Sequence, residues 1–149
     1  MKTDFFLLFF AVIAGGALPI QAGLNSKLTT YLGHPIQASF ISFMGGVVFM
    51  VILMIIMRPE FPGIERLTET PPYLFLGGFM GGIFVTTIII LVPKIGVTPV
   101  LAGTLTGQFL VSLIIDHYGI LGVPVQHISL SRIAGITLMF AGLFFVQKG

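Results

Sequence analysis

Five stretches of this chain are long and apolar enough to dictate what it can become. They run from about Phe5 to Leu24, Ile36 to Met57, Tyr73 to Val92, Val97 to Ile115, and Ile133 to Val146, the last reaching back to Leu130 if Arg132 snorkels. A helix needs about 20 residues to cross ~30 Å of hydrocarbon. The first four segments meet that length. The fifth is short and suits a thin part of the bilayer. Barrel strands do not fit, because the runs are too long and show no alternation. In lipid the backbone polar groups must pair within each helix. The expectation is an all-α membrane protein: one five-helix transmembrane domain over residues 1–149, with spans 5–24, 36–57, 73–92, 97–115 and 130–146.

Composition agrees. Charged residues make up 8% of the chain, against about 25% in soluble domains, and the mean hydropathy is +1.09. Hydrocarbon must therefore act as solvent for most of the sequence. The charges gather in the breaks. Arg58 to Pro72 is expected to be the longest water-exposed loop, with Arg58, Glu60, Glu65, Arg66, Glu69 and four prolines. Gly33-His34-Pro35 separates the first two segments, since proline disfavours a helical residue before it. Pro93-Lys94-Ile95-Gly96 is expected to be a tight turn, and Asp116 to Ser131 a second loop. Lys2 followed by Phe5 to Ala17, with Ala22 beyond, has the outline of a signal peptide. Asp4 argues against cleavage, and four long segments would remain in any case.

Several function classes fall away. The formal charge is +2 and the pI 9.2, but the seven Lys and Arg are scattered, and nucleic-acid binding needs a basic patch. The chain has no cysteine, which removes disulfide and thiolate chemistry. Three separated histidines and few acids make no metal-ligand spacing. No phosphate-cradling loop or acid/base pair supports an enzyme, and no cofactor is expected. The expected surroundings are a lipid bilayer and a small-molecule substrate.

Polar residues inside spans are costly and so mark candidate sites. Thr104, Gln108, Ser112 and Asp116 recur every four residues and share a helix face. Leu101, Leu105, Phe109 and Leu113 are expected on the opposite face. Gln21 and Asn25 are four apart, just after Pro19. Ser39 with Ser42, and Thr86 with Thr87, read more simply as residues satisfied on their own or a neighbouring helix. Asp116 also fits an interfacial, water-facing position next to His117. No acid occupies the centre of a span, so no central proton relay is evident. Gly77 with Gly81, and Gly78 with Gly82, form small-residue faces that let helices approach in lipid. Gly135 and Gly142, a heptad apart, suggest another packing seam.

With five spans, Lys2, Arg58, Arg66 and Arg132 fall on one side of the membrane and Lys27, Lys94 and Lys148 on the other. An excess of one cation barely biases orientation. Either one fixed topology or insertion both ways, giving an antiparallel homodimer, is consistent with it.

Gln21-Ala22-Gly23-Leu24-Asn25 with Leu28, Gly77-Gly78-Phe79-Met80-Gly81-Gly82 with Phe84-Val85-Thr86, Val92-Pro93-Lys94-Ile95-Gly96, Gly107-Gln108 with Ser112 and Asp116-His117-Tyr118-Gly119, then Arg132, Gly135 and Ala141-Gly142 occur in order. Together they resemble the YdcZ-like family of inner-membrane exporters in the drug/metabolite transporter (DMT) superfamily. The resemblance implies a multi-pass protein of the cell inner (plasma) membrane. It also implies one half of a ten-helix inverted-repeat architecture, paired with another copy or a related half, that exports a small molecule by alternating access. Substrate sites in inverted-repeat transporters lie between the halves, which directs attention to Gln21, Asn25, Gln108 and Ser112. The competing expectation is a structural or accessory membrane protein that binds another membrane protein through its glycine faces.

Overall fold

The computed structural model describes residues 2–148, except for the side chains of residues 2–4, 146 and 147. Lys2 of the charge balance is one of those side chains, and the ends of the expected domain, residues 1 and 149, lie outside the described set. Among the described residues there are six α-helices: α1 (Lys2–Leu32), α2 (Pro35–Met57), α3 (Ile64–Glu69), α4 (Gly77–Ile95), α5 (Val97–Tyr118) and α6 (Leu130–Lys148). A 3-10 turn at Pro72–Leu76 leads into α4. There is no strand among the described residues. Among the described residues, four helical stretches are long and apolar enough to cross a membrane: Phe5–Leu32, Pro35–Met57, Pro72–Ile95 and Val97–Tyr118. A shorter apolar helix, Leu130–Phe145, follows.

The chain divides between Lys94 and Ile95 into two compact units. In the first, α2 packs along α1. Small residues permit that approach: Ala22 and Ala38 are buried, as are Ile88, Ile89 and Val92 of α4. The outward surface is apolar, with Phe5 to Phe10 and Met50 to Met57 carrying many exposed hydrophobics. That surface suits lipid, not water. In the second unit, α5 packs on α6.

Several boundaries differ from the sequence expectation. α1 runs eight residues past Leu24, to Leu32. At about 1.5 Å per residue its 31 residues measure about 46 Å, longer than the hydrocarbon. The helix continues through polar residues whose hydroxyls are satisfied on it: Thr29 donates to the Asn25 carbonyl (3.1 Å) and Thr30 to the Lys27 carbonyl (2.7 Å). Gly33, at φ 84°, ends it. His34 then caps α2, its Nδ1 accepting from the Ile36 amide at 3.2 Å, with Pro35 at the first helical position. There the missing proline N–H costs nothing.

The segment Arg58 to Pro72 is not all loop. It holds α3, with Glu65 in its first turn, where an acid favours the helix dipole. Its charged residues are exposed, as expected. Pro93-Lys94-Ile95 belongs to α4, so the turn is narrower than expected. Gly96 alone, at φ 87°, separates the two helices. Pro99 then sits in the first turn of α5, where helix amides lack partners anyway. α5 also takes in Asp116, His117 and Tyr118, which the sequence places in the following loop, and stops at Gly119 in the left-handed region.

Candidate functional site

Each unit contains its own polar cluster. In the first, α1, α2 and α4 are tied by hydroxyl and amide side chains. Asn25 Nδ2 donates to Ser42 Oγ at 3.0 Å, and Thr86 Oγ1 donates to Ser39 Oγ at 2.9 Å. Asn25 and Ser39 are each 6% exposed. The simpler reading of these hydroxyls therefore holds for all four. Ser39, Ser42 and Thr86 bond across helices, and Thr87 bonds its own helix through the Ile83 carbonyl at 2.7 Å. Gln21 is exposed, and with Asn25 it lines a narrow crevice bounded by Leu18, Ala22, Val85 and Ile88.

The second cluster sits at the C-terminal end of α5. A groove of about 320 Å³ is lined by Phe109, Ser112, Leu113 and Asp116 of α5 and Arg132, Gly135, Ile136 and Met139 of α6. Arg132 Nη1 lies 3.4 Å from Asp116 Oδ2, with the two side chains 32% and 38% exposed. The same Nη1 donates to the Gln126 carbonyl at 3.3 Å, and Nη2 donates to Gln126 Oε1. The Gln126 amide donates in turn to the Asp116 carbonyl at 2.8 Å. His117 Nδ1 accepts from the Ile128 amide at 3.2 Å. The loop from Gly119 to Ser129 is thus folded back on the end of α5.

Glycine makes that fold possible. Gly119 has φ 61°, and a Cβ there would lie 2.8 Å from Val125 Cγ2 and 3.4 Å from the Val123 carbonyl. Leu121 (φ 65°) and Gly122 (φ 78°) are also left-handed, which keeps the loop tight.

The expected polar stripe is only partly gathered. Ser112 and Asp116 share the groove; Thr104 and Gln108 are not among its lining residues. Thr104 donates to the Leu101 carbonyl (3.0 Å) and Ser112 to the Phe109 carbonyl (3.0 Å), so both hydroxyl protons are used within α5. Gln108 is exposed. Phe109 and Leu113 are not opposite the stripe but line the same groove as Ser112 and Asp116. Residues three apart differ by only about 60° around a helix of 3.6 residues per turn, so the two sets are neighbours. Thr106, which the stripe leaves out, is buried and donates to the Ala102 carbonyl at 2.8 Å.

Sequence reasoning also missed the partner of Asp116. Charges near helix ends in a membrane protein tend to pair. Asp116 and Arg132 flank one short connection, which was signal enough to join them. Of the glycine faces, Gly81 comes close to another helix: a Cβ there would meet the Phe43 ring at 3.7 Å. Gly77, Gly78, Gly82, Gly135 and Gly142 have open space at that position among the described residues. Gly78 and Gly82 line an apolar groove with Ile36, Phe43, Phe79, Ile83 and Thr86. No group of three His, Asp or Glu side chains is placed to hold a metal among the described residues.

Residues 6–145 match the family described as "Putative inner membrane exporter, YdcZ". No curated protein matches the chain. No solved structure matches it either. The match covers nearly the whole sequence and is to an exporter family, not an enzyme class. With four helices of membrane-crossing length, it makes the chain a multi-pass inner membrane protein.

Proposed function

The chain belongs to the YdcZ family of inner membrane exporters, and from that membership we propose that it is one five-span half of a small-molecule exporter in the DMT superfamily. α6 is the fifth span, and residues 1–149 act as a single transmembrane domain. Two halves, either antiparallel copies of this chain or this chain and a related half, rock about a shared polar pathway. The observation that carries this reading is the family match over residues 6–145.

Gln21, Asn25, Thr104, Gln108, Ser112 and Asp116 line that pathway. Support comes from their chemistry. Gln108 is exposed on an apolar helix, where a side-chain amide needs a polar partner. Asp116 and Arg132 bring opposite charges to a groove that is otherwise mostly apolar. The near balance of Lys and Arg between the two sides supports insertion in both orientations. The glycine faces at Gly77, Gly78, Gly81 and Gly82 and at Gly135 and Gly142 supply close-packing surfaces between helices.

Efflux of a panel of labelled small metabolites from liposomes holding the purified chain tests the reading. Gln108→Leu is expected to abolish efflux while the protein still folds and dimerises. Undiminished efflux by that variant would remove Gln108 from the pathway. No efflux of any compound by the parent, with an unrelated membrane protein copurifying at fixed ratio, would favour the accessory role. The absence of native cysteine lets single introduced cysteines report, by cross-linking, whether two copies meet antiparallel.

A further inference from the structure

Asp116 and Arg132 sit where their helices oppose them. Asp116 lies in the last turn of α5, at the negative end of the helix dipole. Arg132 is the third residue of α6, at the positive end. Each helix end therefore enlarges the field of the side chain next to it. The two side chains moderate each other only loosely. Their contact is a single 3.4 Å bond, well beyond the ~2.8 Å of a tight charge-assisted pair. Both retain capacity. A carboxylate accepts about four hydrogen bonds, and among the described residues this one takes the single bond from Arg132. Arg132 uses Nη1 and Nη2 on Asp116 and Gln126, out of about five donors. The groove they share is walled by Phe109, Leu113, Ile136 and Met139, and its size of about 320 Å³ falls in the range of small-ligand pockets.

We propose that this groove binds a small zwitterion with an apolar body, its cationic group on Asp116 and its anionic group on Arg132. A cation alone would meet Asp116 but leave Arg132 repelling it at short range; an anion alone would face the reverse. A zwitterion satisfies both charges and is favoured by both helix ends, while its apolar part lies against Phe109, Leu113, Ile136 and Met139. The inference rests on the exporter reading for its purpose, since it supplies a substrate class, and the site lies at the loop end of α5 and α6.

The test is equilibrium binding to the purified chain in lipid nanodiscs, with protein-free nanodiscs as blank. The probes are phenylalanine (zwitterion), phenylalanine amide (cation) and N-acetylphenylalanine (anion). Phenylalanine is expected to bind saturably and at least tenfold more tightly than either relative. Asp116→Asn should erase the preference over N-acetylphenylalanine and keep that over the amide. Arg132→Gln should do the opposite. Those paired changes are not produced by a merely structural salt bridge. Three results would overturn the inference: no saturable phenylalanine binding to the folded parent, equal binding of all three probes, or variants that keep the parent's preferences. The parent's preference needs no variant, and the Asp116→Asn/Arg132→Gln double variant, which preserves net charge, should bind all three alike. Selective binding without efflux would sink the exporter reading alone. Efflux of other compounds without zwitterion binding would sink this inference alone.

Discussion

Gly119→Ala is expected to loosen the loop that holds Arg132 against Asp116, and the structure fixes by how much. Two separate costs add. An alanine at φ 61° lies in the left-handed region at about 1 kcal/mol. Its Cβ would also lie 2.8 Å from Val125 Cγ2. Val125 is β-branched and stiff, so moving that methyl off its rotamer costs about 1 kcal/mol more. The sum, about 2 kcal/mol, corresponds to roughly thirtyfold more frequent opening. Hydrogen exchange of the Gln126 amide, which donates to the Asp116 carbonyl, reads that opening directly. The Gly119→Ala/Val125→Ala double variant removes the clash and keeps the backbone strain, so about fivefold faster exchange should persist. Unchanged exchange in Gly119→Ala, or full recovery in the double variant, would refute the division into two costs.

Asn25→Ala and Ser42→Ala should show a coupling of about 0.6 kcal/mol in a double-mutant cycle of unfolding in detergent, the usual worth of such a bond in a membrane protein; a coupling near zero would mean the 3.0 Å contact carries no energy. Arg58→Gly relieves a left-handed arginine at φ 47°, so stability should hold or rise by up to about 1 kcal/mol. The same change levels the flanking cations, so a reporter fused to the carboxyl terminus should divide evenly between the two sides of the membrane; an unaltered division would sink the charge-balance reading. Gly81→Ala sets a methyl in ordinary contact with Phe43 at 3.7 Å, so the monomer should gain up to about 1 kcal/mol of helix stability; loss of cysteine cross-linking between copies in that variant would assign the face to assembly, and unfolding of the monomer would show that the contact geometry is wrong.

Hydropathy was enough to find the apolar helices, because burial in lipid leaves little else for a run of 20 apolar residues to do. It could not find their ends. α1 continues through Asn25 to Leu32 with its threonine hydroxyls satisfied on its own carbonyls, which hydropathy does not register. Pro93 looked like a break, yet the backbone turns at Gly96, where a positive φ is needed and proline cannot supply it. Within the candidate site, four-residue spacing correctly put Ser112 and Asp116 together, but a stripe on one helix says nothing about what the next helix brings. Arg132 and Gln126 reach Asp116 only through a loop shaped by Gly119, and that shape is a matter of backbone dihedrals. Thr106 escaped notice because it lies off the stripe, and burial depends on neighbours that a single helix does not specify.

Pro19 lies inside α1, and its missing N–H leaves the Gly15 carbonyl without its usual helical donor. No neighbour crowds Gly15 or Gly16 among the described residues. α1 is thus a rod with a soft joint. From Pro19 to Asn25 is about 9 Å of helix and to Leu32 about 20 Å. A bend of about 10° at the joint swings Asn25 by about 1.6 Å and Leu32 by about 3.5 Å. The smaller swing, directed along the 3.0 Å contact with Ser42, would carry it beyond hydrogen-bond reach. The Asn25 contact therefore lies close to the pivot, and the far end of the rod magnifies any bend about it.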